Sequence, residues 1–142
     1  MKKLLPLIAA LLLSACGTTA QLTSADLNKP IPAGESRIIV KRTNEFLFGA
    51  ARAKVSVNGQ AFGSLGVGGE AITNVKAGRQ TLNVTTDMAF GSWTETVDTK
   101  AGKTYHYVTS PNPSFGKLTG GLIYDAATAD TNSGYFKIEQ IK

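Results

Sequence analysis

The hydrophobic residues follow two different patterns along the chain. Residues 4–13 form a continuous apolar run of ten residues that Lys2 and Lys3 precede. From Glu35 onward, short runs rich in β-branched and aromatic residues recur between glycine turns, at a spacing typical of β-sandwiches. The second pattern predicts an all-β domain, a small antiparallel β-sandwich, over residues 35–142.

The most specific local signal in this domain is a hairpin. In residues 53–57, Val55 and Val57 alternate with polar neighbours and are predicted to point inward, and Asn58-Gly59 follows directly. Asn and Gly both tolerate positive φ, which a type I′ turn requires at its two central positions. The sequence therefore predicts a hairpin that returns through residues 60–62.

Five further strands follow from the same reasoning. Residues 36–43 carry Ile38-Ile39-Val40, and apolar side chains on both faces indicate a strand inside a sheet or one that crosses between layers. Residues 76–85 and 100–109 repeat a turn-then-strand pattern around Ala-Gly. Residues 92–99 carry Trp93 and Val97 on one face, and residues 135–141 are expected to close the domain with Phe136 and Ile138 facing inward.

The apolar run at the start has the features of an export signal. It is about half as long as the roughly twenty residues that a membrane-spanning helix needs, and small residues precede Cys16. The segment Leu13-Ser14-Ala15-Cys16 resembles the lipobox of bacterial lipoproteins, in which the cysteine is acylated and becomes the new N-terminus. The resemblance implies that residues 1–15 are a cleaved signal peptide and that acyl chains on Cys16 hold the protein on the membrane. The alternative is an ordinary secretory signal that leaves Cys16 as a free thiol.

Residues 16–34 are interpreted as the lipidated cysteine and a flexible tether. They are rich in Thr, Ala, Ser and Asn and end in Pro30-Ile31-Pro32, and residues 24–26 are expected to cap one short helical turn. Gly17 stands where Asp would favour inner-membrane retention, so it resembles the address of an outer-membrane lipoprotein. The expected location is the cell envelope, on the outer membrane facing the periplasm or the surface if the cell is Gram-negative.

Charge and composition argue against several classes of partner. Loss of Lys2 and Lys3 with the signal lowers the basic residues from 15 to 13 against 10 acidic residues, which leaves a net charge of +3. Nucleic-acid binding calls for a denser basic stripe with aromatic platforms, so no nucleic-acid partner is expected. Five basic residues around the first loop are predicted to lie on a solvated strand face, with contact to anionic lipid or glycan as the alternative: Arg37, Lys41, Arg42, Arg52 and Lys54.

The residues that carry chemistry are few. A single cysteine excludes an intramolecular disulfide and paired-cysteine zinc sites, and neither a metal nor a cofactor is expected. His106 is the only histidine. A Ser-His-Asp triad could be formed from His106 with Ser110 and Asp98, but the sequence contains no nucleophile elbow around the serine. These three residues define the alternative function, an envelope hydrolase or transferase. Weak calcium binding between Asp125 and Asp130 is a minor alternative.

Two features of the core are left open by the pattern. The first is whether His106 or the flanking Tyr105 and Tyr107 point inward. The second is the long segment 110–133, which is expected to hold a short helix at residues 123–129 or to be the functional loop. The largest units available for the core are six aromatic residues: Phe46, Phe48, Phe62, Phe90, Trp93 and Phe136.

Three of these motifs together resemble a known pattern. The hairpin Val55-Ser56-Val57-Asn58-Gly59, the strand that starts at Gly78 and the run Ala101-Gly102-Lys103-Thr104-Tyr105-His106-Tyr107 look like bacterial lipoprotein domains of unknown function related to PEGA-type modules. The similarity covers roughly residues 37–110 and transfers no functional residue. It implies an envelope β-sandwich without a known catalytic site. The expected function is a lipid-anchored, non-catalytic binding or scaffold module that recruits an envelope protein or glycan through an edge strand or segment 110–133.

Overall fold

The structure, a computed structural model, describes residues 24–46, 49–113 and 132–142. Within these residues, one helical turn and eight strands follow one another. They are α1 (Ser24–Leu27), β1 (Glu35–Arg42), β2 (Ala53–Val57), β3 (Gln60–Leu65), β4 (Glu70–Lys76), β5 (Gly78–Thr86), β6 (Ala89–Thr99), β7 (Thr104–Pro111) and β8 (Phe136–Ile141). The predicted all-β fold and the short turn at Ser24 are confirmed.

The strands form two four-stranded sheets that pack face to face. The first sheet has the order β4-β1-β7-β8 and the second has the order β3-β2-β5-β6. All pairs are antiparallel except β1 and β7, which run parallel. Parallel strands need a long crossover connection between them. Here the chain between β1 and β7 provides it by passing through the second sheet.

The core lies between the two sheets and follows the alternation of side chains along each strand. Val55, Val57, Phe136 and Ile138 are buried, as predicted. Ile39 is also buried, on the outer face of the first sheet, which agrees with the prediction that its strand lies inside a sheet. The other large apolar side chains of the core are Ile38, Val40, Leu65, Leu82, Val84 and Tyr107.

The predicted hairpin is confirmed in its turn and its register. Asn58 and Gly59 have φ values of 50° and 79°, and Val57 pairs with Gln60. The Asn58 side chain also holds the turn against β5, since its Oδ1 accepts a hydrogen bond from Thr81 N at 2.9 Å. The turn is therefore fixed both by its backbone and by the neighbouring strand.

A β-bulge lets the two sheets approach closely at the edge formed by β3 and β4. The register of β2 and β3 shifts so that Phe62 is the extra residue, and Gly63 pairs with Val55. A Cβ atom on Gly63 would stand 2.5 Å from the Ala71 Cβ and 3.1 Å from Val55 Cγ2. Glycine is needed here because a side chain on β3 would collide with β4.

The expectation that all six aromatic residues build the core is wrong for two of them. Phe46 is 87% exposed in the connection between β1 and β2, and Phe90 is 79% exposed at the start of β6, beside the turn that follows β5. Phe62 and Trp93 are partly buried against the core, and Phe136 is fully buried. Phe48 lies outside the described residues.

The prediction of a solvated basic face is wrong for Arg42. Its side chain is fully buried, and its Nη1 donates hydrogen bonds to the carbonyls of Ala51 and Leu65. The guanidinium carbon lies 4.7 Å from the centre of the Phe136 ring, a cation–π distance. Burial lowers the pKa of Arg42, with Arg52 adding to the effect, yet a guanidinium stays charged in proteins. Arg42 thus joins elements of both sheets.

The same prediction is also wrong for Arg37, which is 4% exposed on the outer face of the first sheet. Its Nη1 and Nη2 donate to the carbonyls of Leu27 at 2.8 Å and Lys29 at 2.6 Å, and its Nε donates to Asn74 Oδ1 at 3.3 Å. These bonds pin part of the predicted flexible tether to the sheet. Lys41, Arg52 and Lys54 are exposed, as predicted.

The C-terminal part returns to the sandwich at β6. Pro111 is the last residue of β7, and Asn132 forms a bridge with Trp93. Gly134 N donates to Ser92 O at 3.1 Å, which leads the chain into β8. The predicted helix at residues 123–129 lies outside the described residues.

Replacement of the buried arginine tests its structural role. Arg42→Ala should lower the free energy of unfolding by about 3 kcal/mol, because two buried carbonyls lose their donor and a cavity replaces the side chain. The measurement is chemical denaturation. The control is Lys41→Ala, the next residue, whose ion pair with Glu70 at 3.0 Å is half-exposed and should contribute less than about 1 kcal/mol. Equal effects of both substitutions would contradict the role of Arg42.

The close approach of the sheets predicts a coupled pair of substitutions. Gly63→Ala should destabilise the protein by about 1–3 kcal/mol, since the added methyl group overpacks the interface with β4. Gly63→Ala combined with Ala71→Gly should recover most of this loss because the opposing Cβ is then absent. Denaturation of the two single variants and the double variant measures the coupling, and strict additivity would show that the contact is not the cause.

Candidate functional site

The two ends of the sandwich differ in chemistry. At one end lie the connection from β1 to β2, the turn from β3 to β4 and the turn from β5 to β6. Arg42 joins this end of the two sheets through its bond to Leu65 O at 3.1 Å. Opposite it lie the Asn58-Gly59 turn, the turns before β5 and β7, and Gly34, where the tether enters β1. We call this second end the tether end.

Four large apolar side chains are exposed at the first end, and we call them the apolar tip. Phe46 is 87% exposed, Phe90 79%, Met88 62% and Val67 38%. Their loops contact one another in part, since Gly68 N donates to Thr43 O at 3.3 Å. Contiguous exposed apolar patches of several hundred Å² mark interaction sites, and aromatic residues and methionine are enriched at protein interfaces.

Sequence reasoning missed the apolar tip because it assigned Phe46 and Phe90 to the core. One signal was available. Phe90 follows Asp87-Met88 at the end of a strand pattern, and a turn residue beside two large apolar residues indicates that those side chains lie at a turn.

The three residues of the hydrolase alternative do not form one constellation. His106 is exposed on the outer face of β7, opposite Ile39. Ser110 lies four residues further along the same strand, about 13 Å away at the usual rise per residue. Asp98 is on β6 in the second sheet and is paired with Arg79 at 3.4 Å. A catalytic base must lie within about 3 Å of its proton donor, and this spacing does not provide it.

The open question about the tyrosines of β7 is decided by the structure. Tyr107 is buried and Tyr105 is half-buried on the core side, whereas His106 is exposed. The Tyr105 hydroxyl accepts a hydrogen bond from Lys100 N at 2.9 Å, which fixes the turn before β7. The register with the aromatic residues inward is the correct one.

Tyr107 is the buried residue with the largest change in acidity. Burial raises the pKa of Tyr107 to about 12, and the nearby Glu95 raises it further because a second negative charge is unfavourable. No protein atom in the described part of the chain accepts or donates a hydrogen bond at Tyr107 Oη. Burial also raises the pKa of Tyr135, while Arg42 opposes that rise.

The remaining site predictions concern metals and the lipid anchor. Within residues 24–46, 49–113 and 132–142, no group of three or more His, Cys, Asp or Glu side chains is arranged to hold a metal ion. No helix in this part of the chain is long and apolar enough to cross a membrane. Cys16, Asp125 and Asp130 lie outside the described residues, so the lipidation and calcium predictions stay predictions.

The raised pKa of Tyr107 predicts a loss of stability in alkali. Below about pH 10, Tyr107 is neutral in both the folded and the unfolded protein. Above this pH the unfolded chain ionises first, because its tyrosine has the lower pKa. The free energy of unfolding should therefore fall between about pH 10 and 12, by up to about 2–3 kcal/mol. Tyr107→Phe should remove this part of the loss and leave stability near neutral pH equal or higher. Denaturation at a series of pH values measures it. The same alkaline loss in both proteins would contradict the assignment.

Comparison with known proteins adds no family to this description. No protein-family model matches the chain, and a search of curated proteins gives no match either. The resemblance to PEGA-type lipoprotein domains therefore stays a prediction.

Proposed function

We propose that the protein is a lipid-anchored module of the bacterial cell envelope that binds an envelope protein through its apolar tip and performs no catalysis. The observation that carries this proposal is the exposure of Phe46 and Phe90, 87% and 79%, at the end of the sandwich opposite the tether. The lipobox-like segment at Cys16 supplies the anchor.

The arrangement suits a module that holds its binding surface away from an anchor. β1 leads from the tether end to the tip over eight residues, a length of about 26 Å. The tether is pinned at the start of this strand by Arg37. An anchor at Cys16 would therefore restrain the tether end, while the tip stays available to a partner.

The chemistry of the tip favours binding over reaction. Its side chains are two phenyl rings, a thioether and an isopropyl group, which offer apolar area and neither a nucleophile nor a proton donor. Complete burial of one such side chain contributes about 1.5–3 kcal/mol. Two phenylalanines and a methionine can thus supply a large part of the affinity for a protein partner.

Site-specific crosslinking in cells tests the proposal. A photo-crosslinking amino acid at position 46 or 90 of the full chain should capture one envelope protein, whereas the same group at Ile141, which is 52% exposed on β8, should not. Phe46→Ala combined with Phe90→Ala should abolish capture from a third tip position, Met88. Equal capture at all four positions, or none at the tip, would contradict the proposal, and capture of glycan alone would replace the protein partner.

The anchor is tested in the same cells. A clickable fatty acid should label the wild-type chain and fail to label Cys16→Ser, and the unlabelled variant should leave the membrane fraction. Label on both chains, or on neither, would contradict anchoring through Cys16.

A further inference from the structure

The two turns that share the sequence pattern Lys-Ala-Gly-basic come together at the tether end. Residues 76–79 connect β4 with β5, and residues 100–103 connect β6 with β7. Pairing of Gly78 with Thr99 places the second turn beside the first. The fold thereby collects four cationic side chains at the tether end. We call this group of four the basic end: Lys76, Arg79, Lys100 and Lys103.

Both turns are tied to the point where the tether becomes β1. Ala77 N donates to Gly34 O at 3.0 Å, and Gly102 N donates to Glu35 O at 2.7 Å. Two separate stretches of chain with one sequence pattern therefore flank the same two residues. The basic end is a fixed part of the sandwich because backbone hydrogen bonds hold both turns.

The cations of the basic end face solvent with little compensation. All eight residues of the two turns are exposed. Among the described residues, no carboxylate lies within ion-pair distance of Lys76, Lys100 or Lys103. Arg79 contacts Asp98 at 3.4 Å, but both side chains are about three-quarters exposed, and such a pair contributes little. Glu35, opposite Lys76, is the other acidic residue here.

Three lysines elsewhere on the sandwich have a carboxylate partner. Lys41 contacts Glu70 at 3.0 Å, Lys54 contacts Asp87 at 2.6 Å, and Lys137 contacts Glu139 at 2.8 Å. Of the four described lysines that lack a carboxylate partner, three, namely Lys76, Lys100 and Lys103, therefore lie at the basic end beside the tether.

The tether limits how far this end can lie from the anchor. Arg37 holds the carbonyls of Leu27 and Lys29 against the first sheet. Only eleven peptide steps separate Cys16 from Leu27, which allows a distance of about 40 Å at most. The anchor holds the domain close to the bilayer, so contact between the basic end and the bilayer behaves as an intramolecular step. Even a weak attraction is effective under this condition.

We propose that the basic end rests on the anionic headgroups of the bilayer that carries the anchor, which orients the apolar tip away from the membrane. This inference rests on the proposed lipid anchor. Its chemical basis is the attraction of lysine and arginine to anionic lipid, which raises binding by roughly fivefold for each residue near the surface.

Vesicle binding of the full chain with Cys16→Ser tests the surface independently of the anchor. This protein should bind vesicles of equal parts phosphatidylcholine and phosphatidylglycerol more tightly than vesicles of phosphatidylcholine alone, and added salt should weaken the binding. Replacement of Lys76, Arg79, Lys100 and Lys103 by Gln should reduce binding to the anionic vesicles by about tenfold or more. The matched control replaces Lys41, Arg52, Lys54 and Lys137 by Gln, which removes the same charge, and should stay within about twofold.

Equal losses in the two quadruple variants would overturn the proposal, because net charge rather than the basic end would then drive binding. No loss in either variant, or equal binding to both kinds of vesicle, would overturn it as well. Since Cys16 is absent from every protein compared, these outcomes are distinct from a failure of lipidation.

Amine-reactive labelling of the Cys16→Ser chain gives a second measurement that needs no substitution in the sandwich. Anionic vesicles should protect Lys76, Lys100 and Lys103 several-fold and leave Lys41 and Lys54 as reactive as they are without vesicles. Uniform protection of all five lysines, or protection of none, would contradict the orientation.

Discussion

The buried guanidinium of Arg42 is the interaction on which the rest of the sandwich depends. A charged side chain without exposure to solvent is stable only where its donors are bound to acceptors. The Nη1 of Arg42 donates to the carbonyls of Ala51 and Leu65, and the guanidinium faces the Phe136 ring. Because these partners belong to both sheets, one side chain fixes how the sheets meet at the tip.

A second arginine performs the corresponding task at the opposite end. Arg37 binds two tether carbonyls and Asn74, so it attaches the entering chain to the outer face of the first sheet. Arginine suits both places since its planar guanidinium directs several N–H groups at once. The described lysines other than the half-buried Lys137 are exposed on the surface, where a compact ammonium group is strongly hydrated. The two buried arginines therefore have structural roles, and the exposed lysines supply charge on the surface.

The two ends of the sandwich present different side chains. Phe46, Met88 and Phe90 are exposed at one end, and the turns at the other end display lysines beside the tether. The proposed function uses both ends of one rigid body, with attachment at one and recognition at the other. His106, Ser110 and Asp98 take no part in this arrangement, because His106 and Ser110 lie about 13 Å apart along β7 and Asp98 lies on β6 in the second sheet.

The sequence by itself determined the features that depend on neighbouring residues. Positive φ at Asn58-Gly59 specified the hairpin, alternation of Val55 and Val57 specified the inward face, and Phe136 and Ile138 specified the closing strand. Only the tertiary structure decided that Arg42 enters the core while Phe46 leaves it, and that two distant Lys-Ala-Gly turns share one end. The physical reason is that burial and charge clustering depend on which strands pair and which sheet lies opposite, and those partners are far apart in the chain.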